Sequence, residues 1–165
     1  MGLSLLAGCG DEKQQIFKEA EKDLEQGSYE YALDEFNTSV NNGIKLVVSY
    51  RGIGICQLRL GNYDAAIEAF SGAIGAENVS KSMLRDLYLY RATARLKAGY
   101  LEDAMADCQV LAQNYDMDAD SYFLTGRVAL AMDGYDEAAS NFEQAYGEDS
   151  SYDRAIQIYE TYLDK

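Results

Sequence analysis

The chain has 165 residues, a length that suits one domain, with 48% apolar residues and neither histidine nor proline. Its 28 acids and 14 bases leave a formal charge of −14, which argues against a nucleic-acid partner, because neutralising phosphates needs a basic surface. Without histidine, His-based triads, His proton relays and most zinc sites are excluded, and no apolar run approaches the roughly 18 residues of a spanning helix.

The first motif in chain order is Leu6-Ala7-Gly8-Cys9, followed by Gly10-Asp11-Glu12-Lys13-Gln14-Gln15. It resembles the lipobox of bacterial lipoproteins and the short polar tether that follows it. The resemblance implies that residues 1–8 are the remnant of a signal peptide and that 9–11 are the lipidated cysteine and tether, with Cys9 the lipid-bearing N-terminus. One acyl chain holds a protein marginally at a membrane, whereas two or three hold it stably. A signal peptide ordinarily carries a basic start and about 7–15 apolar residues. Here residues 1–5 precede the box without a lysine or arginine. Two readings stand: a lipid-anchored protein on the extracytoplasmic face of a bacterial membrane, or a cytoplasmic chain with a chance match.

From there the chain is organised by four alanines, Ala32, Ala66, Ala104 and Ala138, spaced 34, 38 and 34 residues apart. Twelve residues before each stands a small residue: Ala20, Gly54, Ala92 or Gly126. Eight before stand Leu24, Leu58, Leu96 and Leu130; four after stand Phe36, Phe70, Cys108 and Phe142. Offsets of about 4, 8 and 12 lie near multiples of 3.6, so these residues line faces of paired helices. Gly27, Gly61, Gly99 and Gly134 fall between the helices, where a chain reversal suits a residue tolerant of positive φ.

A helix pair recurring at 34 residues, with Gly61-Asn62-Tyr63-Asp64-Ala65-Ala66-Ile67-Glu68-Ala69-Phe70 and Tyr135-Asp136-Glu137-Ala138, resembles the tetratricopeptide repeat (TPR) family. The resemblance implies an all-α fold over 12–165: a right-handed superhelical solenoid of four helix pairs plus a C-terminal capping helix. The repeats are expected at about 13–46, 47–80, 85–118 and 119–152, and the capping helix at 151–164. That last helix opens on serines and carries Ile156, Tyr159 and Leu163 as one stripe, as a terminal lid needs. The family's usual proline is missing, and the 38-residue step implies four extra residues that lengthen helix ends around 75–81. Cys56 and Cys108 are expected as two buried free thiols, since their helices are not direct neighbours.

The same register sorts the charge. Second helices at about 29–42, 63–77, 101–114 and 135–149 hold half of the 28 acids and no lysine or arginine, whereas the first helix at about 46–60 holds no acid. In the family, second helices form the outer face and first helices line a concave groove. The resemblance therefore implies an acidic exterior and a groove that mixes apolar anchors with basic groups: Phe17, Arg51, Ile55, Arg59, Leu89, Thr93, Lys97, Phe123 and Arg127. The expected partner is a protein or peptide, acidic on charge grounds, held by charge-assisted pairs and apolar pockets. Acids early in helices also suit the helix dipole, so solubility and capping explain the same segregation without any ligand. Arg91 and Arg95 fall at normally apolar offsets, where pairing with Asp103 or Asp107 or a shifted register both account for them.

The function expected is a protein-interaction scaffold and not an enzyme, with no cofactor and no metal. Asp116-Met117-Asp118-Ala119-Asp120 has the acids of a calcium loop but not its glycine or terminal glutamate, and reads as an acidic first turn for the next helix. The carboxylate clamp of chaperone-binding members is missing, its places being held by Phe17, Glu21, Gly52, Asp86 and Tyr90. A cytosolic co-chaperone is therefore not expected.

Overall fold

The structure, a computed structural model, describes residues 5–152, with side chains from residue 12 onward. Among them run α1 (Leu5–Gln26), α2 (Tyr29–Asn41), α3 (Leu46–Arg59), α4 (Tyr63–Ile74), α5 (Lys81–Ala98), α6 (Leu101–Asn114), α7 (Ala119–Ala131) and α8 (Tyr135–Glu148). A short 3-10 turn, Ser150–Tyr152, follows, and no strand occurs among the described residues. The expected capping helix at 151–164 lies outside the described residues except for that turn, and so does the side chain of Cys9. No helix of the described residues is long and apolar enough to cross a membrane.

The chain divides into two compact units, Met1–Leu87 and Tyr88–Lys165, the division falling inside α5. In the first unit, Phe17, Ala20, Ala32, Phe36, Ile53 and Cys56 form a buried cluster, with Phe17 edge-on to Phe36 at 6.0 Å between ring centroids. The small residues make room for rings. A Cβ on Gly54 would lie 2.4 Å from the Phe70 ring, and one on Gly52 would lie 2.5 Å from Phe36. In the second unit, Ala92, Ala104, Cys108, Leu124 and Val128 pack together, and Ala129, Ala138 and Phe142 form a further cluster. Gly126 repeats the arrangement, its missing Cβ being occupied at 2.6 Å by Phe142.

All four alanines that set the register are fully buried. Each is closed off inside its packed helix pair, an environment that favours a small residue. Cys56 and Cys108 are both free and buried, and burial pushes each thiol up to about 11, so neither is a thiolate at neutral pH. The extra residues of the long step fall at the α4–α5 junction. The linker there spans 75–80 and α5 has 18 residues, against 14 in α3 and 13 in α7. Ser80 opens α5 by accepting a hydrogen bond from the Met83 N–H at 3.2 Å.

One turn differs from expectation. Gly27, Gly61 and Gly99 adopt φ of 78°, 83° and 84°, but Gly134 has φ −84°. The left-handed residue there is Asp133, with φ 60°, and it stands five residues before its alanine, as the other three glycines do. Position in the register, not the glycine nearest by eye, decides which residue turns the chain. Aspartate is among the few L residues that visit this region routinely.

Candidate binding site

The residues expected to line a groove do not share one environment. Phe17 is a correction: it is fully buried in the first unit's core, packed on Phe36 and covered by the Lys45 ammonium 4.2 Å above its ring. It is a core residue, not a lining one. Ile55 is nearly closed off as well, at 9% exposure. Arg51 is tied to Asp86 of α5 at 3.4 Å and is only partly exposed, while Arg59 stands exposed in the last turn of α3.

The second unit brings more of them together. Leu89, Thr93 and Lys97 follow one another at four-residue spacing on α5 and so share a stripe. Leu89 is half-buried, Thr93 donates its hydroxyl to the Leu89 carbonyl at 2.9 Å, and Lys97 is exposed. Lys97, Phe123 and Arg127 meet at a cavity of about 470 Å³. Its apolar wall comes from Leu96, Phe123, Leu130 and the buried Phe142; Lys97, Arg127, Ala131 and Asp133 are its exposed edge. Phe123 is fixed from several sides: Phe142 lies 5.9 Å away, Tyr152 packs edge-on at 5.1 Å, and the Arg127 guanidinium lies 5.7 Å over the ring. The Tyr152 hydroxyl donates to Asp120, a bond that, with burial, pushes its pKa up to about 12. Asp118 accepts from the Ser121 N–H at 3.0 Å and from its hydroxyl at 2.8 Å, so this aspartate of the calcium-like motif caps α7. Among the described residues, no group of three or more histidine, cysteine, aspartate or glutamate side chains is placed to hold a metal.

Arg91 and Arg95 also find their place. Asp107 of α6 is 2% exposed and accepts from Arg91, its Oδ2 from Nε at 3.0 Å and its Oδ1 from Nη2 at 2.7 Å, while Arg95 Nη1 lies 2.6 Å from the same Oδ2. Arg95 also donates to the Asp103 carbonyl at 3.2 Å. The register holds through the long step, and both arginines point at α6.

No family model matches the sequence, and no curated protein matches it. Solved structures do. The chain is similar to a tetratricopeptide repeat protein from Parabacteroides merdae at 22% identity and a TM-score of 0.70, covering 94% of this chain and 60% of that one. It is similar to the MamA protein at 18% identity and a TM-score of 0.68, over 94% of this chain and 92% of that one. The fold is that of a tetratricopeptide-repeat protein. A thermophilic TPR protein of Thermus thermophilus is also similar, at 18% identity and a TM-score of 0.50, over 93% of this chain and all of the other. In TPR terms, α1, α3, α5 and α7 are the first helices of their pairs, and the second helices α2, α4, α6 and α8 contain no lysine or arginine.

Proposed function

We propose that this chain is a binding scaffold that holds a segment of a partner protein against its first helices and is anchored by lipid on Cys9 at the extracytoplasmic face of a bacterial membrane. The observation that carries the binding half is the meeting of Lys97, Arg127 and the aromatic Phe123 at one apolar cavity on a chain of net charge −14. Basic groups held beside apolar surface suit a partner segment with acidic and bulky residues, since charge steers the encounter and apolar contact holds it. Exposed Arg59 in the first unit supports the same reading. The TPR fold agrees with it, because such arrays act by presenting extended surfaces. The membrane half rests on Leu6-Ala7-Gly8-Cys9 with its polar sequel.

Two experiments test the halves separately. Arg59→Glu with Lys97→Glu and Arg127→Glu should abolish capture of the partner from a membrane extract while the melting temperature stays unchanged. Arg51 is left out because its reversal would set a carboxylate against Asp86. Undiminished capture counts against the binding face. Radiolabelled fatty acid should be incorporated into the wild type and lost on Cys9→Ser; a wild type that takes up no label is an unanchored adaptor.

A further inference from the structure

We infer that the cavity in the second unit is a socket for one bulky apolar side chain of the partner segment, with acidic residues adjoining it in sequence. This rests on the scaffold reading and narrows it to one site and one ligand chemistry.

Size comes first. At about 470 Å³, and open to solvent along one edge, the cavity has room for an organic side chain rather than only an ion or a single water. Its wall side chains, Leu96, Phe123, Leu130 and Phe142, are apolar. An occupant side chain gains there by leaving water, and the wall gains too.

Charge selects the neighbours of that side chain. Two cations and one anion stand at the edge, Lys97, Arg127 and Asp133, a net of +1 on a molecule of −14. The guanidinium of Arg127 is held over Phe123, so its position is linked to the cavity wall itself. A carboxylate arriving beside the socket finds a planar donor fork already oriented, the geometry that binds carboxylates in pairs of hydrogen bonds. Asp133 occupies the other part of the edge. Its backbone is in the left-handed region at φ 60° and its carboxylate accepts from the Tyr135 hydroxyl at 3.1 Å. A fixed anion there repels acids from its own side and so gives the bound segment a direction. Acidic residues are placed beside the α5 and α7 cations and excluded near the α7–α8 turn.

The test uses the full chain and a fluorescein-labelled ten-residue peptide with one phenylalanine flanked by glutamates, read by fluorescence anisotropy at near-physiological salt. Replacing the phenylalanine by alanine should weaken binding at least tenfold, and replacing the glutamates by lysines should do the same. Ala131→Phe fills the cavity from its exposed edge without altering a charge, and should also weaken binding at least tenfold. Lys97→Glu with Arg127→Glu should reverse the preference, so that the lysine peptide binds better than the glutamate peptide; all these variants should melt like the wild type. Binding that ignores the phenylalanine, or that survives Ala131→Phe, overturns the socket even where charge reversal still acts. An apparent affinity that falls as protein concentration rises puts a second copy in the cavity and also overturns it. Failure of every peptide, with partner capture still lost on Arg59→Glu alone, overturns the socket and leaves the scaffold reading intact. Failure of both removes the two together.

Discussion

Thirteen and nine residues before its register alanine, and three after it, the first repeat carries Glu19, Asp23 and Glu35; the third carries Arg91, Arg95 and Asp107. In the third repeat the three side chains satisfy one another, with two guanidiniums closing on a single buried carboxylate. In the first repeat all three are acids. Glu35 Oε2 is buried without a hydrogen-bond partner, and burial, then the charges of Asp23 and Glu19, raise its pKa. The second repeat has Ile53, Gln57 and Ala69 at these places: Ile53 and Ala69 lie in the buried apolar cluster, and the Gln57 side-chain oxygen accepts from the Asn62 amide at 2.8 Å. One geometric slot between paired helices therefore takes three chemistries. Helix pairing needs the small residues and the buried alanine; it does not dictate whether the flank beside them is apolar, paired or repulsive.

The largest effect should come from breaking the paired slot. Asp107→Ala leaves two arginines facing each other in a largely buried place and should cost about 3–5 kcal/mol in urea unfolding. Replacing all three members by apolar residues of similar size should recover most of that loss, because the desolvation of three charges disappears with them. Next come the small residues beside the apolar slot. Gly54→Ala sets a Cβ 2.4 Å from the Phe70 ring and Ala66→Leu enlarges a fully buried residue, and each should lower stability by about 1–3 kcal/mol through overpacking. Cys108→Phe should be damaging alone, and less so with Ala92→Gly, since the third repeat would then regain the ring-on-glycine contact of its neighbour; a double-mutant cycle measures the coupling.

The repulsive slot gives a smaller effect with a pH signature. A carboxyl whose folded pKa is raised weakens the fold once pH climbs above the unfolded value near 4.5, and the penalty is complete above the folded value. Glu35→Gln should thus raise the melting temperature at pH 7 and lose that advantage as pH falls through the carboxylate range. Glu19→Arg with Asp23→Arg, copying the third repeat, should remove the same pH dependence. The smallest effect belongs to the turn. Asp133→Gly relieves a left-handed backbone and should stabilise by at most about 1 kcal/mol, measured by chemical unfolding.

Much of this was legible from spacing. The four alanines and the small-to-aromatic offsets report a packing constraint that recurs at every repeat, so they survive in a single sequence. Arg91 and Arg95 were visible as anomalies, and Asp107 was among the acids within reach. Phe17 was misplaced for a physical reason. Its register position is a lining one, but Lys45, held in the left-handed region at the start of α3, closes over the ring. Nothing in the spacing says which neighbour covers a position. At the α7–α8 turn the offset from the alanine, not the presence of glycine, marks the residue with positive φ. The cavity was half legible: Lys97, Phe123 and Arg127 stood among the lining residues, while Ala131, Asp133 and Phe142 joined them only through the third dimension.

The central claim is that the first-helix face of the second unit receives a protein partner and the exposed second helices do not. A photo-crosslinking residue placed at Thr93, one turn from Lys97 on α5, is compared in living cells with the same residue at Tyr31, which is 72% exposed on α2. A single discrete adduct at position 93, absent at 31 and lost when Lys97 and Arg127 are changed to glutamate, is the expected result. Equal adducts at both positions, or an adduct at 93 indifferent to those charges, would contradict it.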